Sequence, residues 1–370
     1  MSCTVIVKES NIVRTPRVIQ LEGMFDLSPS EKSKLTWEVS LPLQEREWNV
    51  GLIVGPSGSG KTTIARELFK DYIIDQFPWS KDKAIVDEFP NNISIHEIVE
   101  ILTSIGFSSP PAWLRNYNVL SNGEQFRVFI ARALAEKREI TVIDEFTSVV
   151  DRTVAKAVSY TVQKYVRKHN KKFIAISCHY DIFQWLIPDW IFEAGVNNFQ
   201  WSDGLRQRPN IALKIEKVHS KAWELFKNHH YLNRNLNNSA QCYLASWGNE
   251  PVAFCAVLPQ PILISQQMIW RISRIVVLPD YQGLGIGMAL LNYVASLYAT
   301  KGKVGITTSH MGMIRALEKS PLWKLKHRGI YRAHSSLSLR RTSSFNRLTC
   351  SFYYIGRPNF EDARCFEIPK

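Results

Sequence analysis

A glycine-rich stretch between an apolar run and a helical pattern constrains this chain more than any other feature. The apolar run covers residues 50–54, and residues 64–69 have the spacing of an amphipathic helix. Glycines in such a turn let backbone N–H groups converge on phosphate oxygens, and the helix N-terminus adds partial positive charge. The strand–loop–helix pattern therefore predicts a nucleotide-binding loop. Its sequence is Gly55-Pro56-Ser57-Gly58-Ser59-Gly60-Lys61-Thr62-Thr63.

The polar residues of this loop have expected roles in holding ATP. Lys61 is expected to reach the β- and γ-phosphates, and the Thr62 hydroxyl is expected to ligate Mg2+. An ordinary glycine-rich turn is the competing interpretation, but every fixed position of the motif is filled in the required context. The ATP-binding residues predicted here are Gly55, Ser57, Gly58, Gly60, Lys61, Thr62 and Thr63.

Four further segments follow the loop in order along the first half of the chain. Residues 120–125 (LSNGEQ) lead into a helical pattern, and a later apolar run ends in Asp144 and Glu145. Asp151 comes shortly after, and His179 ends another apolar run. This order resembles that of the ABC-class ATPases, in which residues 120–125 correspond to the signature motif.

The resemblance implies a role for each of these segments. Asp144 would hold Mg2+ together with Thr62, Glu145 would polarise the attacking water, and His179 would contact the γ-phosphate. The signature would bind the γ-phosphate of a second subunit, and Asp151 would couple the two sites. A homodimer with ATP between its subunits is therefore expected, with a heterodimer as the alternative. The signature residues assigned to ATP are Ser121, Gly123 and Gln125.

The first half also departs from the ABC pattern. Asn122 replaces a signature glycine, and the region expected to carry the family's glutamine loop has residues 87–90 (DEFP) instead, with Gln76 as a weak substitute. Only 60 positions separate Lys61 from Ser121. That interval accommodates a small helical subdomain but no long coiled-coil arm, so DNA-repair ATPases of the SMC class match poorly.

Charge is distributed unevenly along the chain. Residues 206–370 contain 23 Lys+Arg and 8 Asp+Glu, whereas residues 1–205 contain 23 and 25. A basic second half favours a polyanionic partner, above all nucleic acid, with a solubility effect as the alternative. Six scattered cysteines without a C-x-x-C pair favour a cytoplasmic setting, and no apolar stretch has the length of a membrane span.

A second strand–glycine–helix pattern lies in the basic half. A strand pattern over 272–278 and a helical pattern over 288–299 flank the spacing Q-x-x-G-x-G. A dinucleotide fingerprint fails here because Met288 stands where its last glycine or alanine belongs. The spacing instead resembles the pyrophosphate loop of GNAT acyltransferases, which implies acyl-CoA, with acetyl-CoA as first choice. The acyl-CoA residues implied are Val276, Val277, Gln282, Gly283, Gly285 and Gly287.

No carboxylate is evident as the base for acyl transfer. Many GNAT enzymes carry a glutamate on the strand before the loop, where this chain has arginines and a serine. His310 and His230 are the remaining candidates, because imidazole accepts a proton near neutral pH. Tyr353 or Tyr354 is a candidate acid or stacking face. A purely structural role is the alternative for each of the four.

The C-terminal stretch interleaves cations with aromatic residues, a combination suited to phosphates and unstacked bases. A solvated basic face over core aromatics is the alternative. Residues 229–233 (HHYLN) and 351–356 (SFYYIG) resemble segments of the Mom-type DNA base-modifying enzymes of phages. The cations concerned are Lys324, Lys326, Arg328, Arg332, Arg340, Arg341, Arg347 and Arg357.

These patterns predict an α/β fold class: an ABC-type P-loop ATPase domain over 1–205, then a GNAT α+β domain over 206–330. Residues 331–370 are expected to form a basic aromatic extension packing on the latter. The predicted function is ATP hydrolysis coupled to N-acyl transfer onto a nucleic-acid base, with DNA favoured over RNA and no membrane partner. Three alternatives stay open: a tRNA or rRNA N-acetyltransferase, a non-catalytic clamp with a decayed acyltransferase domain, and an acetyltransferase for proteins or small molecules.

Overall fold

The chain forms two compact units, each assembled from separate stretches of sequence. The computed structural model describes residues 4–202, 208–230, 234–261, 268–330 and 348–368. The first unit is built from residues 1–77, 136–150 and 163–208. The second is built from residues 78–135, 151–162 and 209–370.

A five-stranded sheet forms the centre of the first unit. Its strand order is β4-β5-β3-β6-β7, with the first four strands parallel and β7 antiparallel to β6. A separate antiparallel pair, β1 and β2, lies in the same unit. The strands are β1 (Thr4–Asn11), β2 (Lys32–Val39), β3 (Val50–Val54), β4 (Ile140–Ile143), β5 (Lys172–Ser177), β6 (Trp190–Glu193) and β7 (Asn198–Trp201). The helices are α1 (Pro16–Phe25), α2 (Lys61–Phe69) and α7 (Phe183–Leu186).

Strand β3 occupies the middle of this sheet because it is apolar throughout, as buried parallel strands are. Trp190 of β6 is fully buried against it. A Cβ on Gly51 would lie 2.0 Å from Trp190 Cζ2, so only glycine leaves room for the indole. This packing fixes the strand that leads into the glycine-rich loop.

The second unit combines a seven-stranded mixed sheet with helices from both halves of the sequence. The strand order is β13-β14-β12-β11-β10-β9-β8, and only β11 and β12 are parallel neighbours. Its strands are β8 (Leu213–Val218), β9 (Gln241–Trp247), β10 (Glu250–Pro261), β11 (Met268–Val277), β12 (Lys303–Thr308), β13 (Trp323–Ile330) and β14 (Leu348–Tyr354). Its helices are α3 (Ile95–Ser104), α4 (Pro110–Trp113), α5 (Asn122–Ala135), α8 (Ile286–Tyr298), α9 (Met311–Lys319) and α10 (Phe360–Cys365). Helix α6 (Arg152–Lys168) belongs to this unit up to residue 162.

Two segments fold differently from what their residue pattern favours. Residues 18–21 look β-like, but they lie inside α1, because Thr15 accepts a hydrogen bond from the Val18 N–H and a proline follows at the first helical position. Residues 84–90 contain a 3-10 turn where a strand end is predicted. The pattern over residues 221–228 favours a helix, and the structure has two 3-10 helices there, Ser220–Leu225 and Lys227–His229. The three-residue spacing of the buried Trp223 and Phe226 suits that geometry.

Candidate functional site

The glycine-rich loop connects β3 to α2 in the first unit. Lys61 is only 7% exposed, and its ammonium donates to the carbonyl oxygens of Gly55 at 2.9 Å and Pro56 at 2.8 Å. Gly58 and Gly60 have φ of 81° and 90°, values that favour glycine. No side chain caps α2, so the N–H groups of its first turn, including those of Thr62 and Thr63, face the loop without a side-chain acceptor. An anion is the natural acceptor at this position.

Trp37 of β2 lies against this loop, and sequence reasoning missed it. Its indole Nε1 donates to the Ser59 carbonyl oxygen at 3.1 Å. A Cβ on Gly60 would lie 2.4 Å from the indole ring, so the ring and the loop backbone are in direct contact. An aromatic residue in a strand preceding the loop is the only sequence signal that points to it. A flat ring beside a phosphate-binding loop suits a nucleotide base.

The paired carboxylates follow β4 in the first unit. Glu145 adopts φ 51° and Thr147 φ 71°, left-handed conformations that cost free energy for residues other than glycine. The Glu145 N–H donates to Asp144 Oδ1 at 2.8 Å, and the Ser148 hydroxyl donates to Glu145 Oε2 at 2.6 Å. Backbone strain at an exposed carboxylate is typical of functional positions, because an exposed side chain gains no packing energy that would offset the strain.

His179 follows β5, which lies between β3 and β4 in the sheet. The His179 N–H donates to the Ser177 hydroxyl at 3.1 Å. Because β3, β4 and β5 are parallel, the residues that follow each of them lie at one edge of the sheet. The first unit therefore brings the glycine-rich loop, Asp144, Glu145 and His179 to the same edge of the sheet.

The signature segment begins α5 in the second unit. Ser121 and Glu124 form a reciprocal cap: the Ser121 N–H donates to the Glu124 carboxylate at 3.0 Å, and the Glu124 N–H donates to the Ser121 hydroxyl at 3.4 Å. A Cβ on Gly123 would lie 3.4 Å from a Val154 methyl of α6. Ser121 is exposed, so a helix N-terminus with a hydroxyl faces solvent.

Two other predicted ATP residues have structural contacts of their own in the second unit. Asp151 caps α6, since its carboxylate accepts from the N–H groups of Thr153 and Val154 at 2.8 and 3.0 Å. The Gln125 amide donates to the Tyr117 carbonyl oxygen at 3.2 Å. Asp151 is exposed, and Gln125 is half-buried.

The parallel strands β11 and β12 part in the middle of the second unit's sheet. Their pairing ends at Ile272 opposite Ile306, although β11 continues to Val277 and β12 to Thr308. The backbone groups beyond Ile272 on this side of β11 are therefore released from the ladder. A parting of two parallel strands can admit an extended ligand that bonds to strand backbone.

The predicted pyrophosphate loop follows β11 and leads into α8. Gly283 and Gly285 have φ of 88° and 86°, and Gly285 caps α8 without any side-chain hydrogen bond. A Cβ on Gly285 would meet no atom within 4 Å, whereas one on Gly287 would lie 3.1 Å from a Val277 methyl. Gly285 thus leaves open space beside an uncapped helix N-terminus, and Gly287 lets α8 approach β11. Val276 is 6% exposed and packs into an apolar cluster, so only its backbone faces the parted strands.

The two histidine candidates have different surroundings. His310 caps α9, with Nδ1 accepting from the Met313 N–H at 3.2 Å, and its Nε2 lies 2.8 Å from the Ser108 carbonyl oxygen. Burial lowers the pKa of His310, and both ring nitrogens are occupied, so its geometry is that of a structural cap rather than of a base. His230 is half-buried, with its ring edge-on to Trp223 at 5.7 Å between centroids.

The two tyrosine candidates differ as well. The Tyr353 hydroxyl accepts from the Lys326 ammonium at 2.7 Å, and that ammonium lies 4.8 Å from the ring centroid. Burial raises the pKa of Tyr354, and its hydroxyl contacts the Arg357 carbonyl oxygen at 3.4 Å. Phe352 between them is 1% exposed and belongs to the core, so it offers no stacking face.

Part of the basic C-terminal surface is described. Lys324, Lys326 and Arg328 are all exposed along β13, at one edge of the sheet, and Arg328 pairs with Glu318. Strand β14 lies between β13 and β12, next to this edge. The Asp362 carboxylate of α10 accepts from the Tyr293 hydroxyl at 2.8 Å. Several predicted cations and Tyr231, Leu232 and Asn233 of the HHYLN segment lie outside the described residues, the cations being Arg332, Arg340, Arg341 and Arg347.

Known proteins of two kinds are similar to parts of this chain. Residues 205–319 match the family described as Acetyltransferase (GNAT) family. The chain is 29% identical over 164 residues to the mitochondrial iron–sulfur clusters transporter ATM1 of Debaryomyces hansenii, covering 34% of this chain and 24% of that protein. It is 34% identical over 82 residues to the phosphate import ATP-binding protein PstB of Mycoplasma pneumoniae, covering 21% and 25%. The chain thus spans about a quarter of the length of these relatives.

Solved structures of ABC cassettes also match part of this chain. The dimeric structure of MJ0796, a bacterial ABC transporter cassette, is 19% identical with a TM-score of 0.37, covering 47% of this chain and 94% of that one. Its ADP- and phosphate-bound dimeric form has the same identity and TM-score and covers 54% and 100%. Among the residues that the structure describes, no helix is long and apolar enough to cross a membrane. The sheets and the sequence matches confirm the predicted fold class, an ABC-type P-loop ATPase fold combined with a GNAT acetyltransferase fold.

Proposed function

We propose that this chain hydrolyses ATP as an ABC-type dimer and transfers an acyl group from acyl-CoA to an exocyclic amine of a nucleic-acid base, with DNA as the substrate. The observation that carries the proposal is the parting of β11 and β12 next to the uncapped N-terminus of α8. Backbone groups on the free side of β11 suit the pantetheine arm, and the open space at Gly285 suits the diphosphate. We retain 1–205, 206–330 and 331–370 as the proposed division of domains.

The ATPase half of the proposal rests on the edge of the first unit's sheet. Lys61 and the first turn of α2 would bind the phosphates, and the strained Glu145 would orient and deprotonate the attacking water. Thr62 and Asp144 offer the hard oxygen donors that Mg2+ requires, and one Asp144 oxygen is already oriented by the Glu145 N–H. Bound Mg2+ would neutralise phosphate charge there. Ser121 and Gly123 would complete the nucleotide site of a second copy.

In the transfer step, the base nitrogen attacks the thioester carbonyl carbon. A C–N bond forms, the C–S bond breaks, and the CoA sulfur leaves with the electron pair. The amine proton passes to solvent or to a general base of the protein, and CoA leaves as the thiol. His230 is the proposed general base, because imidazole accepts a proton near neutral pH and the geometry of His310 is that of a helix cap.

The basic edge of the second unit's sheet supports a nucleic-acid substrate. Lys324 and Lys326 are exposed on β13, and Tyr353 beside Lys326 is half-exposed, which combines cations with a ring. The resemblance of residues 229–233 and 351–356 to Mom-type enzymes favours DNA and modification of a base over the other polyanions.

The decisive experiment is mass spectrometry of nucleosides from DNA, tRNA and rRNA of cells with and without this gene. A gene-dependent adduct in DNA is expected, and its mass identifies the acyl group. An adduct confined to RNA would replace DNA with RNA as the substrate. Absence of any adduct, with acyl-CoA still bound, would favour a non-catalytic nucleic-acid clamp, a function consistent with the structural role of His310.

Substitution on β13 tests the nucleic-acid surface directly. Replacing Lys324 and Lys326 with glutamine should weaken DNA binding and lower the slope of log affinity against log salt by about 1.8 for duplex DNA. Lys214→Gln is the control, because Lys214 is also exposed but lies on β8 at the opposite edge of the sheet. Equal slopes for the double variant and the wild type would remove this edge from the binding surface.

A further inference from the structure

The start of the predicted acyl-CoA loop packs against the helical segments that accompany the signature. The Ser108 N–H donates to Gln282 Oε1 at 3.2 Å, and Gln282 Nε2 donates to the Val277 carbonyl oxygen at 3.1 Å. A Cβ on Gly283 would lie 2.2 Å from the Thr161 methyl of α6. One on Gly106 would lie 2.7 Å from the Gln282 carbonyl oxygen. The loop and these helices are therefore in backbone contact.

Arg127 of α5 ties the same loop to the signature helix. Its guanidinium donates to the carbonyl oxygens of Ile105 at 3.2 Å, Gly106 at 3.4 Å and Asp280 at 3.2 Å. Arg127 is 2% exposed, and the planar guanidinium donates only in fixed directions. It follows Ser121 by six residues, a rise of about 9 Å along a helix. One rigid element thus runs from the signature to the turn that precedes Gln282.

The charge of Arg127 persists despite its burial. Desolvation lowers its pKa to about 10, while the carboxylates of Asp280, Asp151 and Glu124 act in the opposite direction. The side chain is therefore a cation at neutral pH. A buried cation bonded to three carbonyl groups resists rearrangement, because any lost bond leaves charge unpaired.

The contact extends from the loop to α9. The His310 ring bonds to the Ser108 carbonyl oxygen, and Arg315 forms an ion pair with Glu100 of α3 at 3.6 Å. A Cβ on Gly312 would lie 2.5 Å from the Thr103 methyl. The helical segments around the signature and the acyltransferase fold therefore share a continuous packed surface.

We propose that Arg127 is a positioning residue that couples the signature to the acyl-CoA loop. A nucleotide with an intact γ-phosphate, held at Ser121 and Gly123, fixes α5, and Arg127 transmits that order to Asp280 and Gln282. The loop then loses less freedom when it binds acyl-CoA, so acyl-CoA binds more tightly in the ATP-bound state. The inference rests on the proposed binding of ATP and acyl-CoA at these two loops.

The wild-type chain tests this coupling by calorimetric titration. Acetyl-CoA is titrated into the full-length protein alone, with Mg2+ and ADP, and with Mg2+ and a non-hydrolysable ATP analogue. We expect the analogue to lower the Kd of acetyl-CoA by at least about fivefold, and acetyl-CoA to lower the Kd of the analogue by the same factor. An unchanged or raised Kd overturns the coupling and leaves the proposed function standing. Absence of acetyl-CoA binding in every state refutes both.

Variants then identify the residue that transmits the effect. Arg127→Met should bind each ligand alone with near-normal affinity but reduce the coupling factor to about one, and Arg127→Lys should restore part of it. Thr161→Ser is a smaller change, because it removes only the methyl that contacts Gly283, and it should also lower the coupling factor. Arg315→Gln, which removes the half-buried ion pair with Glu100 on the same surface, should retain the coupling factor. A full coupling factor in Arg127→Met and Thr161→Ser would refute the role of α5, and if Arg127→Met does not fold, Thr161→Ser decides.

Discussion

Gly285→Ala separates a binding role of the second glycine-rich loop from a merely structural one. Gly285 has φ 86°, and a Cβ there would meet no atom within 4 Å. Gly248, in the turn between β9 and β10, has φ 62° and equally open surroundings. The two alanine variants therefore carry the same kind of backbone strain and no steric clash, and they differ only in what lies beside them.

The expected magnitudes follow from these geometries. A left-handed conformation costs an alanine about 1–2 kcal/mol, so both variants should lose stability by that amount. For a unit of this size the melting temperature should fall by about 2–8 °C. At Gly285 the new methyl also occupies the open space assigned to the diphosphate. Losing one charge-assisted hydrogen bond costs about 1.5–3 kcal/mol, or about 10- to 150-fold in affinity.

The assay compares both variants with the wild type by acetyl-CoA titration and thermal unfolding. Gly285→Ala should raise the Kd at least about tenfold, whereas Gly248→Ala should leave it within about twofold at a similar loss of stability. Equal affinities for the two variants would refute the assignment of the diphosphate to this loop. Loss of affinity in Gly248→Ala would show that the measurement reports stability instead.

The remaining predictions concern catalysis and pH. Glu145→Gln should slow ATP turnover by about 100-fold or more while ATP still binds. Glu139→Gln is the control, because Glu139 is exposed and lies before β4, and it should hydrolyse ATP normally. Unchanged turnover in Glu145→Gln would contradict the proposed role of Glu145 in activating water. Burial lowers the pKa of His310 below 6.5, so the unfolded chain binds more protons than the folded chain as the pH falls below about 6.5. The free energy of unfolding, measured in urea, should therefore decrease between pH 7.5 and 5.5. His310→Asn, which keeps a capping acceptor, should lessen that decrease, and an unchanged decrease in this variant would contradict the role of His310.

Local sequence patterns predicted the elements that position the first site. The run into the glycine-rich loop and the runs before Asp144 and His179 are short, continuous and apolar, and each forms a buried parallel strand. The glycine spacing of each loop sets its helix start in the same local way. Where the hydrophobic pattern was weaker, the helix cap determined the secondary structure. Thr15 caps a helix in a segment whose composition favours a strand.

Residues that act through long-range contacts could not be predicted in this way. Trp37 contacts Ser59 from another strand, and Arg127 reaches Asp280 across 153 positions of sequence. Neither contact leaves a periodic signal or a motif. His310 shows the opposite failure: its residue type favours a base, but the start of α9 and the Ser108 carbonyl determine its hydrogen bonds. A histidine immediately before a helical pattern could have been weighed as a cap.

The position of Arg127 has a consequence for how the two proposed activities depend on each other. Coupling between two binding sites is reciprocal. If the γ-phosphate raises the affinity for acyl-CoA, acyl-CoA must raise the affinity for the nucleotide by the same factor. Hydrolysis removes the γ-phosphate and with it the ordering of α5. The affinity of the same chain for acyl-CoA then falls. Acyl transfer would then be confined to the interval between closure and hydrolysis. Glu145→Gln, by prolonging that interval, should increase acyl-CoA retention as long as Arg127 is intact and should have no such effect in the Arg127→Met background.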